Sequence, residues 1–307
     1  DKYIAQQISF DDIKKIANQI GGKLLDKYNN LFKLKADYEN LSMTRMRIMG
    51  ILNLTPDSFS DGGDFLLEKD ALEHAYKMRE NGADIIDIGG ESTKPKANYV
   101  DNIEESKRIL KIIKKLSYDN FLISADTRKP SVMTQAIDNG ARIINDISGM
   151  SDPLTPKIIA KSGVSIVIMH IKGSPKNMQI NPNYKFAPIE IYNFLEKKIE
   201  LALSEGIKLN RIAIDPGFGF GKSPLHNMQI MAWLPMFQSL GVPVLLGASR
   251  KSSIAALSNN ELPKDRLAGS IALLCYANLF GTQIIRAHDV METSQAINIC
   301  SNVNRQI

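Results

Sequence analysis

Cysteine and tryptophan are scarce in this chain, with two of the first and one of the second among 307 residues. Cys275 and Cys300 have no C-x-x-C neighbour and no Cys/His ligand spacing, which speaks against a zinc module or a disulfide scaffold. Long apolar runs are missing too. The longest, around Ile271 to Phe280, is interrupted by Asn278 and is too short to cross a bilayer. No block of Lys and Arg interleaved with aromatics occurs, so nucleic-acid binding has no support. The net charge of +5 and pI near 9.0 come from lysines spread along helical patterns, the mark of solvated helix faces. Two catalytic signatures are also lacking. Without G-x-S-x-G there is no nucleophile elbow, and without G-x-x-x-x-G-K-[ST] there is no phosphate loop of the nucleotide-binding kind. The chain opens on nothing that reads as a secretory leader, and thiols far apart in sequence suit a reducing compartment. A cytoplasmic protein with no membrane contact is the expectation.

What the chain does have is rhythm. Eight short apolar runs follow one another: Arg47–Thr55, Ala83–Gly90, Phe121–Thr127, Arg142–Ser148, Ser165–His170, Arg211–Gly217, Pro243–Ser249 and Thr282–Val290. Each is nearly continuous in apolar residues, as strands covered on both faces must be. Helical patterns such as Glu68–Glu80, Asn102–Leu116, Ile189–Ser204 and Leu262–Leu279 lie between them, and several stop at a glycine, Gly82 and Gly163 among them. Strict alternation implies parallel strands, and eight of them over this length favour an α/β fold, the (β/α)₈ TIM barrel, over an open doubly wound sheet. Residues 1–46 stand outside the rhythm. Phe10–Leu25 and Leu31–Tyr38 read as helical, so a short helical N-terminal extension (1–46) is expected ahead of a barrel domain (47–307).

Polar residues gather where the runs end. Asn53 closes the first, Glu91-Ser92-Thr93 the second, Asp126 the third, Asn145-Asp146 the fourth, His170 the fifth and Asp215 the sixth. Ser249-Arg250-Lys251-Ser252 follows the seventh, and the eighth carries Arg286 and His288. A lone Asp before a turn is usually a cap. Polar tips on all eight runs are better explained by a site at the barrel mouth, where the strand-to-helix loops meet. Asp126, Asn145 and Asp215 offer acceptors and an amide suited to the edge of a flat heterocycle. Lys251, Arg250, Arg286 and His288 offer cationic donors where barrels often hold phosphate. Two turn-rich loops, Asp57–Gly63 and Glu91–Asn98, are long enough to close over reactants.

Several motifs, in order, resemble those of the dihydropteroate synthases. They are Met49–Gly63 (MGILNLTPDSFSDGG), Gly89–Pro95 (GGESTKP), Ser124–Thr127 (SADT), Ile144–Ile147 (INDI), Asp215–Lys222 (DPGFGFGK), Ser249–Ser252 (SRKS) and Arg286–Val290 (RAHDV). The first is highly specific, and the likeness runs from about Arg47 to about Ile299. The resemblance implies a transferase of folate biosynthesis that condenses 6-hydroxymethyl-7,8-dihydropterin diphosphate with 4-aminobenzoate. It implies that Asp126, Asn145, Asp215 and Lys251 hold the pterin with Met169 against the ring, and that Asn53 ligates Mg²⁺. It further implies Arg286 and His288 on the diphosphate, and Thr93, Pro95, Phe220 and Ser252 around the aminobenzoate. Catalysis would fall to Lys251, Asp126, Asp215 and Arg286. Competition by sulfonamides and a homodimer are implied as well.

One departure from the family pattern is Lys94 where Arg is usual, which keeps the charge but loses the planar fork. Two alternatives share the pterin cradle: a methyltetrahydrofolate:corrinoid methyltransferase, and a pterin-binding paralogue without turnover. The first has no use for the Ser-Arg-Lys-Ser stretch or the Arg286/His288 pair, and Lys94 gives the second some footing.

Overall fold

A computed structural model describes residues 10–55, 64–93 and 97–304. The loop motif Asp57–Gly63, together with Lys94 and Pro95, lies outside the described residues. Eight parallel strands form one sheet: β1 (Arg47–Asn53), β2 (Ile85–Gly89), β3 (Ile123–Asp126), β4 (Ile143–Asp146), β5 (Ser165–Met169), β6 (Ile212–Asp215), β7 (Leu245–Leu246) and β8 (Ile284–Ala287). The order runs β6-β5-β4-β3-β2-β1-β8-β7, and a parallel bridge from Ile214 to Val244 joins the two ends. That bridge closes the barrel, the architecture that a count of eight apolar runs favours.

Helices clothe the outside. The N-terminal pair is α1 (Phe10–Ile20) and α2 (Gly22–Phe32). Each strand is then followed by one or two helices. These are α3 (Asp64–Glu80), α4 (Asn102–Tyr118), α5 (Pro130–Asp138), α6 (Leu154–Ser162), α7 (Ala187–Ser204), α8 (Pro224–Ala232) with α9 (Leu234–Phe237), α10 (Ser252–Leu257) with α11 (Leu267–Leu279), and α12 (Val290–Asn304). Outward strand residues such as Ile86, Ile88, Ile144, Ile166 and Ile214 pack with helix residues such as Ile109, Ile113 and Leu195 into one continuous core. That sandwiching is why the strands carry apolar residues on both faces. Gly163 ends α6 in the left-handed conformation (φ 71°), the stop that its place in the sequence predicts. The expected helix over Leu262–Leu279 is shorter than its pattern, because Pro263 opens a separate single turn before α11.

Inward residues stack in layers. The floor consists of Met49, Ile85, Ile143, Val167, Ala213, Leu245 and Ile284, into which Tyr38 and Met43 insert from the N-terminal side. Tyr38 is fully buried. It sits in a tight turn in which Glu39 (φ 48°) and Asn40 (φ 60°) are both left-handed while Tyr38 and Leu41 exchange backbone hydrogen bonds. The Glu39 carboxylate accepts from Ser165 Oγ (2.6 Å) and pairs with Arg142, pinning the turn to the starts of β4 and β5. The expected boundary at 46/47 therefore falls inside a packed unit. The helix expected over Leu31–Tyr38 does not form: α2 stops at Phe32, and Lys35 Nζ donates instead to the carbonyls of Asn30 (2.7 Å) and Gln238 (2.8 Å).

Candidate active site

Strand register sets the level of each polar tip. Asn53 pairs with Gly89, Gly89 with Asp126, and Asp126 with Asn145, so these residues stand side by side on β1 to β4. On β5 and β6, Met169 pairs with Asp215. Because strand side chains alternate, Asn53, Asp126, Asn145, Met169, Asp215 and Arg286 share the inward direction. Two of the expected tips do not. Asp146 turns outward, where its carboxylate accepts from Ser148 N, Ser148 Oγ and Met150 N (2.8, 2.6 and 2.8 Å) and ties the turn after β4. His170 also faces out, edge-on to Phe194 at 4.9 Å. Each stands one residue beyond an inward one, so the period of two sends it to the other face.

Two glycines leave the mouth open. A Cβ on Gly89 would lie 3.5 Å from Asn53 Oδ1 and 3.6 Å from Asp126 Oδ2, so both oxygens border one small space. A Cβ on Gly247 would lie 3.8 Å from Asp215 Oδ2 and 3.9 Å from Arg286. Residues scattered from Asn53 to Arg286 in sequence thus come together above the apolar floor.

The electrostatics are those of a buried, charged cup. Arg286 Nη2 donates to Asp126 Oδ2 (2.8 Å) and Arg286 Nε donates to Asp87 Oδ2 (2.6 Å). Two carboxylates thus share one guanidinium. Burial, opposed by Arg286 but helped by Asp87, raises the Asp126 carboxyl to about 7. Burial also raises Asp215 to about 6, against the Gly217 N–H it accepts (2.6 Å) and the pull of Lys251. Lys251 is lowered to about 8, first by burial and then by Arg286, with Asp215 and Asp126 pulling the other way. Its ammonium sits 4.0 Å from the centre of the Phe220 ring. Phe220 in turn packs with Met169, Ile147 and Met178 in a small apolar cluster beside the polar cup. Flat apolar wall and polar rim meet here, which is what a planar heterocycle needs.

The cationic set at β7 and β8 differs from the expectation. Arg250 is engaged by Asp289 and does not face the cup. His288 is pushed down to about 3 by burial and by the Arg286 and Arg250 charges, so it is neutral, with Nδ1 on Ser249 Oγ (3.0 Å). It can offer one N–H, not a charge. Ser252 is exposed in the first turn of α10, directly after Lys251, and Thr93 is half-buried at the rim beyond β2. Among the described residues no group of three or more His, Cys, Asp or Glu could hold a metal ion.

Two further residues organise the site without having been singled out in the sequence. Asp87 lies mid-strand in IIDIG, fully buried. A charge inside a strand covered on both faces must be paired, and that was the legible signal. Lys222 closes the loop after β6. Its Nζ, 2.9 Å from His170 Nδ1, donates to the carbonyls of Phe220 (2.9 Å) and His170 (3.3 Å). Burial and the Lys222 charge lower His170 to about 2, so its ring is neutral and Nδ1 accepts from the lysine.

The family model described as "Pterin binding enzyme" matches residues 49–288. The dihydropteroate synthase of Escherichia coli (strain K12) is 41% identical over 268 residues, covering 87% of this chain and 95% of that protein. The Yersinia pestis dihydropteroate synthase, solved as a sulfonamide drug complex, superposes with a TM-score of 0.83 at 40% identity, covering 88% of this chain and 99% of the other. The Xanthomonas albilineans enzyme with 4-aminobenzoic acid gives 0.83 at 41% identity, with coverage of 88% and 98%.

Proposed function

This chain belongs to the pterin-binding enzymes, and from that membership we propose that it works as a dihydropteroate synthase. It condenses 6-hydroxymethyl-7,8-dihydropterin diphosphate with 4-aminobenzoate, giving 7,8-dihydropteroate and diphosphate in folate biosynthesis. The observation that carries the reading is the meeting of Asp126, Asn145, Asp215, Lys251 and Arg286 around one buried cup beside Met169 and Phe220.

Each residue then has a chemical task. Ionised Asp215 accepts from the amino and ring N–H edge of the pterin, Asn145 meets the neighbouring edge, and Lys251 donates to the carbonyl side. Met169 covers one face of the ring. Arg286 leaves Asp126 to receive the diphosphate, and neutral His288 adds one N–H donor. Asn53 fits a magnesium ion carried in with the diphosphate: its amide oxygen and Asp126 Oδ2 lie 3.5 and 3.6 Å from where a Cβ on Gly89 would stand, and Mg²⁺ commonly takes one or two protein oxygens besides phosphate and water. When bound, that ion would neutralise charge on the leaving diphosphate. Thr93, Pro95, Phe220 and Ser252 frame the aminobenzoate, whose amine attacks the methylene carbon as the C–O bond to diphosphate breaks. The amine then loses a proton, and no protein nucleophile is needed. The electron-rich pterin supports a dissociative path, in which positional isotope exchange within the diphosphate occurs without aminobenzoate.

Sulfonamides, which share the aminobenzoate shape, compete at the same place. No helix among the described residues is long and apolar enough to cross a membrane. A cytoplasmic setting suits the two free thiols. A homodimer is favoured by α11 and α12. Helix α11 is apolar almost all round yet buries only Leu274 and Ala277, and Leu279, Met291, Ile299 and Val303 are exposed beside it.

Incubating the protein with both substrates and Mg²⁺ should yield dihydropteroate by mass spectrometry. Pterin binding by calorimetry without product would assign the chain to the non-catalytic paralogues instead.

A further inference from the structure

Asp87 is the most completely buried charge in the cup. Its Oδ2 alone receives two hydrogen bonds, from Asn145 Nδ2 (3.1 Å) and from Arg286 Nε (2.6 Å). Asn145 belongs to the pterin side of the site and Arg286 to the diphosphate side. We propose that Asp87 is a positioning residue that orients both halves of the pterin diphosphate site through this one oxygen. The inference rests on the functional reading above and deepens it.

The argument is one of donors and acceptors. An ionised carboxylate only accepts. It therefore forces the Asn145 amide to turn its nitrogen inward, because the flipped amide would set Oδ1 against a carboxylate oxygen. The carbonyl and the second N–H of Asn145 then face the cup. For Arg286 the same oxygen occupies Nε, which leaves the Nη atoms pointing toward the mouth, with Nη2 on Asp126. Once Asp126 turns to the substrate, Arg286 is still held at Nε and can swing only its outer nitrogens. A buried ion pair contributes little to stability compared with apolar residues of the same volume, so stability is a poor reason for a carboxylate here. Register agrees. Asp87 stands one inward step below Gly89, beside Ser124, directly under the space that Asn53 and Asp126 border.

Double-mutant cycles test this. Calorimetry would follow 6-hydroxymethylpterin, the ring without diphosphate, with wild type, Asp87→Asn, Asn145→Ala and the double variant. Inorganic diphosphate with Mg²⁺ would be followed with Asp87→Asn, Arg286→Gln and their double variant. Asp87→Asn should weaken each ligand by about tenfold in the wild-type background. It should cost less than about twofold where Asn145 or Arg286 is already gone. Equal losses in both backgrounds, or no loss at all, would overturn the proposal, since a merely structural residue weakens every background alike. Should Asp87→Asn fail to fold, ¹⁵N NMR of the wild type decides: the Arg286 Nε–H stays protected from solvent exchange after diphosphate is added. Rapid exchange there would sink the idea. Failure of the active-site reading is a separate event, visible as wild-type protein that forms no dihydropteroate.

Discussion

Three buried carboxylates, Asp87, Asp126 and Asp215, sit at the centre of the site, and Asp215 shows what burial costs and yields. Its folded pKa of about 6 lies above the roughly 3.9 of an unfolded aspartate. Between those values the folded state holds more protons than the unfolded one. The contribution to stability is thus full below about pH 4 and is lost as pH climbs through about 6. Asn at 215 can still accept the Gly217 N–H and carries no charge to desolvate. Asp215→Asn should raise stability by about 2 kcal/mol at pH 7.5 and flatten its pH dependence. Pterin affinity should move the opposite way, falling at least about a hundredfold, because a neutral amide cannot accept two hydrogen bonds from the ring edge as a carboxylate does. In the wild type, pterin affinity should rise as pH passes through about 6. Thermal melts from pH 4.5 to 8, paired with calorimetry, measure both. A variant that loses stability along with binding would make Asp215 a structural residue.

Among the elements, the loop Asp215–Lys222 links strand chemistry to ring packing. Gly217 adopts φ 73°, and a Cβ there would lie 1.8 Å from the His170 carbonyl oxygen, so only glycine allows the loop to press on the end of β5. Lys222 then locks it through His170 and Phe220. Replacing Lys222 by Met would strand three buried acceptors and should cost about 3 kcal/mol. The same change should raise the KM for both substrates, because Phe220 and Asp215 lose their shared support; melting and steady-state kinetics check the two effects. The strands around this loop were legible, because an apolar run bounded by glycine is a local signal. The inward or outward sense of the tips was less so: Asp146 and His170 stand among the polar strand ends in sequence, yet alternation sends both outward. Asp87 and Lys222 act through partners far away in sequence, and no local pattern names those partners. The segment after Phe32 kept a helical pattern but was claimed by docking, with Lys35 drawn to the Gln238 carbonyl.

At the scale of the whole barrel, a cup open at one end needs a floor at the other, and Tyr38 provides part of it. The ring fills the layer beneath Asp87 among Met49, Ile85, Val167 and Ile284. Its hydroxyl, however, is buried with no hydrogen-bond partner among the described residues, and burial holds it well above its ordinary pKa. Ring and hydroxyl should therefore separate by mutation. Tyr38→Phe keeps the ring and drops an unpaired polar group, so stability should hold or rise by about 1 kcal/mol. Tyr38→Ala empties the layer and should cost about 3–5 kcal/mol. Losing the floor loosens the layer above it, so the alanine variant should also bind pterin more weakly while the phenylalanine variant binds as the wild type does. Denaturant melts and calorimetry on the two variants decide the matter. If Tyr38→Phe proved as damaging as Tyr38→Ala, the hydroxyl would have to make a bond in solution that supports Asp87 from below, and the floor would be part of the polar network above it.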